Sequence, residues 1–292
     1  MVFFVVSVVF VVFVVNPFLF FYYHSMPASL RIALVQQDTV WQDPPANLAR
    51  ARGFVEQAAQ AGARVVVFPE LFTLGFTMAP EPFAEALAGP TTEALGALAR
   101  EFNLYVIGSA VEAHAPHPRN AAFVMAPDGA LVAVYRKLHP FTYGEEHEHY
   151  TGGDDCPLFS IDGIPCGLQI CYDLRFPEPF RALAAMGAEV IFVPANWPVR
   201  RSSAWSTLLA ARAIENQAAL CGVNRVGRDG AGLDYPGASA IHDCFGEVIA
   251  RGDATEGLVV GDIDLTQLRT WRQRFPALKD RRPEVYKTLE PK

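Results

Sequence analysis

Leu168-Gln169-Ile170-Cys171-Tyr172-Asp173-Leu174-Arg175-Phe176-Pro177-Glu178 is the stretch from which the chain is best read. The apolar run over residues 164–170 has the character of a buried strand, and it stops on a cysteine. A polar turn follows, and a helical pattern begins near Pro177. A thiol at the point where a buried strand turns into a helix is held by rigid structure, beside backbone N–H groups that face outward. That is a suitable place for a nucleophile. The plainer alternative is that Cys171 is one more small buried hydrophobe, as most free cysteines are.

Outward from this turn, strands and helices alternate. Residues 30–36 and 65–68 are short apolar runs separated by a helical pattern over 44–62, which Pro44-Pro45 opens and Gly62 closes. This is a βαβ unit. A second helix over 90–102 precedes a strand at 104–111. Residues 120–126 and 130–135 form a hairpin across Pro127-Asp128-Gly129, and 158–161 pairs with 164–170 across Asp162-Gly163. Residues 139–155 read as a polar, irregular stretch rich in Glu and His. After the cysteine come a helix to Met186, a strand at 190–193, a long helix over 202–217, and strands at 219–223, 238–242, 248–250 and 259–263. A helix over 266–274 is expected next, and the polar tail beyond Pro276 is expected to be extended. One α/β domain with a large mixed sheet, or two packed sheets, accounts for this order.

The chain has 292 residues, 51% of them hydrophobic, and a formal net charge of -7. No basic stripe or tail is present to neutralise phosphates, so nucleic acid is excluded as a partner. The cysteines are odd in number (Cys156, Cys166, Cys171, Cys221, Cys244), with no zinc-type spacing. A reducing compartment, the cytoplasm, fits better than a disulfide framework. Residues 1–25 are dominated by Val and Phe, with Ser7, Asn16 and Pro17 the main interruptions. We read them as a low-complexity extension outside the fold, with the functional domain spanning 26–292. A membrane anchor is the rival reading, because the length suits a spanning helix. The stretch lacks the basic flank and small-residue cleavage site of a secretory signal.

Three strand ends carry chemistry. Val67-Phe68-Pro69-Glu70 brings a carboxylate, Tyr135-Arg136-Lys137 a cation, and Gln169-Ile170-Cys171 a thiol. Ligand sites in open α/β sheets form at the carboxyl ends of strands. A thiol of ordinary pKa, about 8.5, is mostly protonated at neutral pH and needs a base. A semi-buried glutamate can take and return that proton, and a lysine can stabilise an oxyanion. Glu70 as a mere turn cap and Lys137 as an ordinary strand-end charge are the structural alternatives. The thiol could instead pair with a histidine, His139, His147, His149 or His242. A metal at His147-x-His149 lacks a third ligand at a recognisable spacing, so no metal is expected.

Phe68-Pro69-Glu70-Leu71-Phe72, Tyr135-Arg136-Lys137-Leu138-His139 and Gly167 through Glu178 resemble the Glu, Lys and Cys motifs of the nitrilase-type carbon–nitrogen hydrolases. Their order and separation agree, and the resemblance runs from Leu30 to about Phe275. It implies a four-layer αββα sandwich that often dimerises through its helical layers, and catalysis without a cofactor. It implies Glu70 as general base, Lys137 as oxyanion stabiliser, Cys171 as nucleophile and the Tyr172 backbone N–H as second oxyanion donor. Many members add a second glutamate between the Lys and Cys motifs. Of Glu145, Glu146 and Glu148, Glu146 is favoured here. Asn196-Trp197-Pro198 and the run from Arg212 to Gln217 are most similar to the ω-amidase branch, which hydrolyses the terminal amide of small 2-oxo dicarboxylic acid monoamides such as 2-oxoglutaramate. Such a substrate carries a carboxylate, for which Arg175 is the first candidate partner and Arg201 the second; a structural salt bridge of Arg175 with Glu178 is the alternative. Trp197 and Phe72 are expected as apolar pocket walls, and Trp205 as packing. A nitrilase, a carbamoyl-amine hydrolase, an amidase for deaminated glutathione or a membrane-tethered acyltransferase would use the same triad.

Overall fold

The central strands are buried on both faces, and successive residues feed different cores. In β1 (Ser29–Gln36), Leu30, Ile32 and Leu34 point one way while Ala33 and Val35 point the other. This is period-two geometry with no solvent face, so it demands a layer on either side. The computed structural model describes residues 27–289, and the low-complexity stretch at 1–25 lies outside them.

Along the chain, β1 is followed by α1 (Pro44–Gln60), β2 (Val65–Val67), α2 (Pro90–Phe102), β3 (Tyr105–Glu112), β4 (Arg119–Met125) and β5 (Leu131–Arg136). A four-residue helix, α3 (Glu146–His149), leads to β6 (Leu158–Ile161) and β7 (Ile164–Leu168). Then come α4 (Pro177–Met186), β8 (Val190–Ala195), α5 (Ser202–Asn216), β9 (Ala219–Asn224), β10 (Val226–Arg228) and β11 (Asp234–Pro236). The chain continues through β12 (Ala240–His242), β13 (Val248–Arg251), β14 (Gly257–Asp264), α6 (Leu265–Arg274) and α7 (Pro283–Leu289). Two six-stranded mixed sheets result, in the orders β14-β1-β2-β3-β4-β5 and β13-β12-β9-β8-β7-β6. In each, parallel central strands are flanked by antiparallel ones.

The sheets pack face to face. Leu34, Val67, Ile107 and Tyr135 from the first meet Cys166, Leu168, Phe192 and Cys221 from the second. The outer face of the first sheet packs against α1 and α2 through Val66, Val106, Phe54 and Leu95. The outer face of the second packs against α4 and α5 through Ile191, Val193, Phe180 and Leu209. The architecture is therefore the expected αββα sandwich. Trp205 is buried in that last core and its Nε1 donates to Ala238 O at 2.8 Å, a packing role as anticipated. All five cysteines are free.

One expectation about the elements needs correction, and one element was missed. The tail past Pro276 is not extended, since it contains α7, opened by Pro283 at a first-turn position that Pro favours. The β10–β11 ribbon was not anticipated, because three-residue strands leave no readable alternation. At the far end from the strand exits, Arg64 before β2 makes a two-point ion pair with Asp162 in the β6–β7 turn, at 2.6 and 2.8 Å. This pair ties the two sheets together. Among the described residues no helix is long and apolar enough to cross a membrane.

Candidate active site

The carboxyl ends of β2, β5, β7 and β8 converge, two from each sheet. Glu70 follows β2 and is fully buried. The next residue, Leu71, adopts φ +45°, and its N–H donates to Ser109 Oγ at 2.6 Å. The chain thus reverses immediately after the carboxylate. Lys137 follows β5 and is only 2% exposed. Its Nζ donates to Glu70 Oε1 at 2.8 Å and to Glu146 Oε2 and Oε1 at 2.8 and 3.1 Å.

Glu146 reaches this point because α3 is a single helical turn. Glu146 and Tyr150, one turn apart, are both buried, while Glu145, His147 and Glu148 face solvent. Glu145 enters the turn at φ +62°, and Phe141 N–H donates to Glu146 Oε2 at 2.6 Å. Among the described residues no group of three His, Cys, Asp or Glu could hold a metal.

Cys171 opens a 3-10 turn, Cys171–Arg175, with φ +46°. A non-glycine residue in the left-handed region stores about 1–3 kcal/mol of strain and persists only when its surroundings enforce it. Here Asp173 does the enforcing. Its buried carboxylate accepts from Ile170 N–H at 2.9 Å, Tyr135 OH at 2.7 Å, His139 N–H at 3.0 Å and His139 Nδ1 at 2.7 Å. The cysteine turn of the second sheet is thereby fastened to the lysine end of β5 in the first. Burial, followed by the Asp173 charge, pushes the Tyr135 phenol well up, so it remains a donor. The turn closes when Asp173 N–H donates to Ile170 O at 3.0 Å, and Tyr172 N–H precedes that closure.

Burial raises the Cys171 thiol well above its ordinary value. The negative charge of Glu70 adds to this, and Lys137 only partly offsets it. The resting sulfur is therefore a thiol, which needs a base beside it. Burial alone would lower the Lys137 ammonium, but Glu146 and then Glu70 more than compensate, and it is held well above its usual range as a cation. Burial raises the Glu146 carboxyl, against the pull of Lys137.

Two asparagines to which sequence reasoning gave no role complete the set. Asn120, at the start of β4, donates through Nδ2 to both Glu70 Oε1 (2.8 Å) and Glu146 Oε1 (3.1 Å), and its carbonyl accepts from Lys137 N–H. Asn196, just past β8, donates its backbone N–H to Glu70 Oε2 at 2.9 Å and its Nδ2 to Glu70 O at 2.7 Å. Its carbonyl accepts from Cys171 Sγ at 3.8 Å. The strand-exit rule that found Glu70, Lys137 and Cys171 would also have found Asn196. Asn120 sits at a strand entrance and gave no such signal.

The cavity above Cys171 and Lys137 is walled by Phe76, Phe141, Tyr172, Trp197, Leu233 and Tyr235, with Arg175 and Arg201 at its edge. Trp197 is a wall, as expected. Phe72 is not. It lies in the core between the first sheet and its helices, its ring 4.6 Å from that of Phe68, because the turn at Leu71 swings it away from Glu70. Arg175 forms no ion pair with Glu178. Its exposed guanidinium lies 5.0 Å from the centroid of Trp197.

Residues 31–273 match the family model described as carbon-nitrogen hydrolase. The chain is 39% identical over 254 residues to omega-amidase YafV of Escherichia coli (strain K12), covering 86% of this chain and 96% of that one. It is 32% identical over 257 residues to the 2-oxoglutaramate amidase of Bacillus subtilis (strain 168), covering 87% and 98%. The crystal structure of XC1258 from Xanthomonas campestris, a CN-hydrolase superfamily protein with an arsenic adduct in its active site, superposes with a TM-score of 0.82 at 36% identity, covering 87% of this chain and 97% of that one. On its fold, its motifs and these relatives, the chain is an enzyme of the carbon-nitrogen hydrolase family.

Proposed function

We propose that this enzyme hydrolyses the terminal amide of small 2-oxo dicarboxylic acid monoamides, 2-oxoglutaramate and 2-oxosuccinamate, to the acid and ammonia through a thioester on Cys171. The observation that carries this reading is a buried carboxylate–ammonium contact, Glu70 to Lys137 at 2.8 Å, set beside a thiol in a cavity edged by arginines. The identities to omega-amidases support the substrate class.

In this scheme Glu70 accepts the thiol proton as Sγ attacks the amide carbon. Lys137 Nζ and Tyr172 N–H receive the charge that forms on the amide oxygen. Glu70 returns the proton to the departing nitrogen, the C–N bond breaks, and ammonia leaves. Water then adds to the thioester carbon, giving its proton to Glu70, and collapse frees the carboxylic acid and regenerates the thiol. Glu146 acts mainly on Lys137, which it fixes by two hydrogen bonds and keeps charged. The substrate carboxylate is left to the arginines at the cavity edge, Arg175 and Arg201, with Trp197 as an apolar wall. The scheme uses no metal or cofactor, so chelators are expected to leave the rate unchanged. A cytoplasmic homodimer, formed through the helical layers, belongs to the same proposal.

The test is ammonia release across a panel of 2-oxoglutaramate, 2-oxosuccinamate, N-carbamoyl compounds and simple nitriles, for the parent and Cys171→Ala. The expected result is preference for the 2-oxo amides and complete loss in the variant, with folding intact. Turnover by Cys171→Ala, or preference for nitriles or carbamoyl compounds, overturns the reading.

A further inference from the structure

Two guanidinium groups edge the cavity, and they are built differently. Arg175 is exposed and touches one ring, that of Trp197. Arg201 is half-buried, its guanidinium 5.2 Å from the Phe141 centroid and 5.0 Å from that of Tyr143. Its backbone is pinned as well, since Arg201 O accepts from Trp197 Nε1 at 2.8 Å. Among the described residues neither arginine has a carboxylate partner within ion-pair distance, whereas Arg64, Arg136, Arg212, Arg225 and Arg269 all do. A guanidinium stacked on aromatic faces and partly withdrawn from water presents its fork in a fixed orientation. It loses less freedom on binding an anion than a solvated one does.

From this we infer that Arg201, rather than Arg175, is the principal determinant of specificity for an amide carrying a carboxylate. The inference rests on the amidase reading and names the residue that sorts its substrates. The Phe141 shelf beneath Arg201 has a second contact. Phe141 N–H is the donor that holds Glu146 Oε2, and Glu146 holds Lys137. Phe141 thus meets Arg201 through its ring and the Glu146–Lys137 pair through its backbone N–H. Arg175 lies over Trp197, whose Nε1 donates to Arg201 O, and serves as the outer, solvated cation.

The test uses matched pairs: 2-oxoglutaramate and glutaramate, which carry the carboxylate, against pentanamide, which does not. The readout is the ratio of kcat/KM within each pair for the parent, Arg201→Gln and Arg175→Gln. Loss of a charge-assisted two-point contact predicts that Arg201→Gln lowers the carboxylate-to-neutral ratio about 10- to 100-fold, chiefly through KM. Arg175→Gln is expected to change it less, and Arg201→Lys to restore part of it. An equal fall for charged and neutral amides makes Arg201 structural and overturns the inference, as does a larger drop in the ratio for Arg175→Gln or a parent that prefers pentanamide. A parent active on glutaramate but not on 2-oxoglutaramate defeats the 2-oxo substrate reading alone, and the contrast between the arginines is then read on the glutaramate pair.

Discussion

Replacing Asn120 by alanine tests whether the two carboxylates need a common clamp. The Nδ2 group donates at 2.8 Å to Glu70 and at 3.1 Å to Glu146, and Asn120 is only 2% exposed. A hydrogen bond to a charged group is worth about 1.5–3 kcal/mol. In the proposed scheme the shorter contact orients Glu70, the base, toward the thiol, and losing it from the transition state predicts a fall in kcat/KM of about 10- to 150-fold. The second contact sets the sign of the pH effect. Glu146 is already raised by burial, and removing a donor to its carboxylate raises it further. The acid limb of the pH–rate profile therefore moves to higher pH. Asn120→Asp keeps the shape but puts a third acid beside Glu70 and Glu146, so its loss should be the larger. The assay is steady-state ammonia release between acid and neutral pH, with melting temperature recorded for each variant. An Asn120→Ala enzyme within about threefold of the parent in rate, with an unmoved acid limb, would refute the clamp.

Glu146→Gln removes one of the two charges that keep Lys137 protonated. We expect a folded enzyme with kcat reduced about 10- to 100-fold and a flattened acid limb, read from the same profiles. Asp162→Asn removes the two-point ion pair to Arg64 that joins the sheets far from the cavity. The Asp162 carboxyl is held below its usual range by hydrogen bonding to Arg64, so its contribution is present above the unfolded value and disappears as pH falls through the folded one. Both partners are about one-third exposed, so the expected cost at neutral pH is about 0.5–1 kcal/mol. Melting curves should show a drop of about 1–3 °C that closes toward acid pH, with catalytic rate constants at 25 °C retained.

Much of this site was legible because its groups sit where patterns change. Val65-Val66-Val67 and the run ending at Ile170 read as buried strands, and the first charged or nucleophilic residue past each end proved to converge. The sandwich itself was less legible. A continuous apolar run says that a strand is buried on both faces, but not whether its neighbours form one sheet or two. Glu146 was favoured over Glu145 and Glu148 on the resemblance alone, and a single helical turn is what makes it the one that points inward. Phe72 shows the opposite failure. Two residues from Glu70 in the chain, it is carried into another core by one left-handed residue, and nothing in Leu71 announces that conformation. Asn120, Asp173 and Tyr135 were given no role for a related reason: their work is to hold other groups across a gap between sheets, and long-range partners leave no local periodicity.

Glu70, Asn120 and Lys137 ride on one sheet, while Cys171 and Asn196 ride on the other. The reacting distance is therefore also a measure of how the two plates are aligned, much as a vernier reads the offset of two scales. What fixes that alignment is the apolar filling between them, Val67 and Ile107 against Leu168 and Phe192. Close-packed interiors transmit a change of one methylene group as displacement, and a misplacement of about 1 Å can cost a hundredfold in rate. Substitutions in that dry layer will thus behave as catalytic mutations although they touch nothing in the cavity, and the same layer is where reactivity can be retuned without altering what the enzyme recognises.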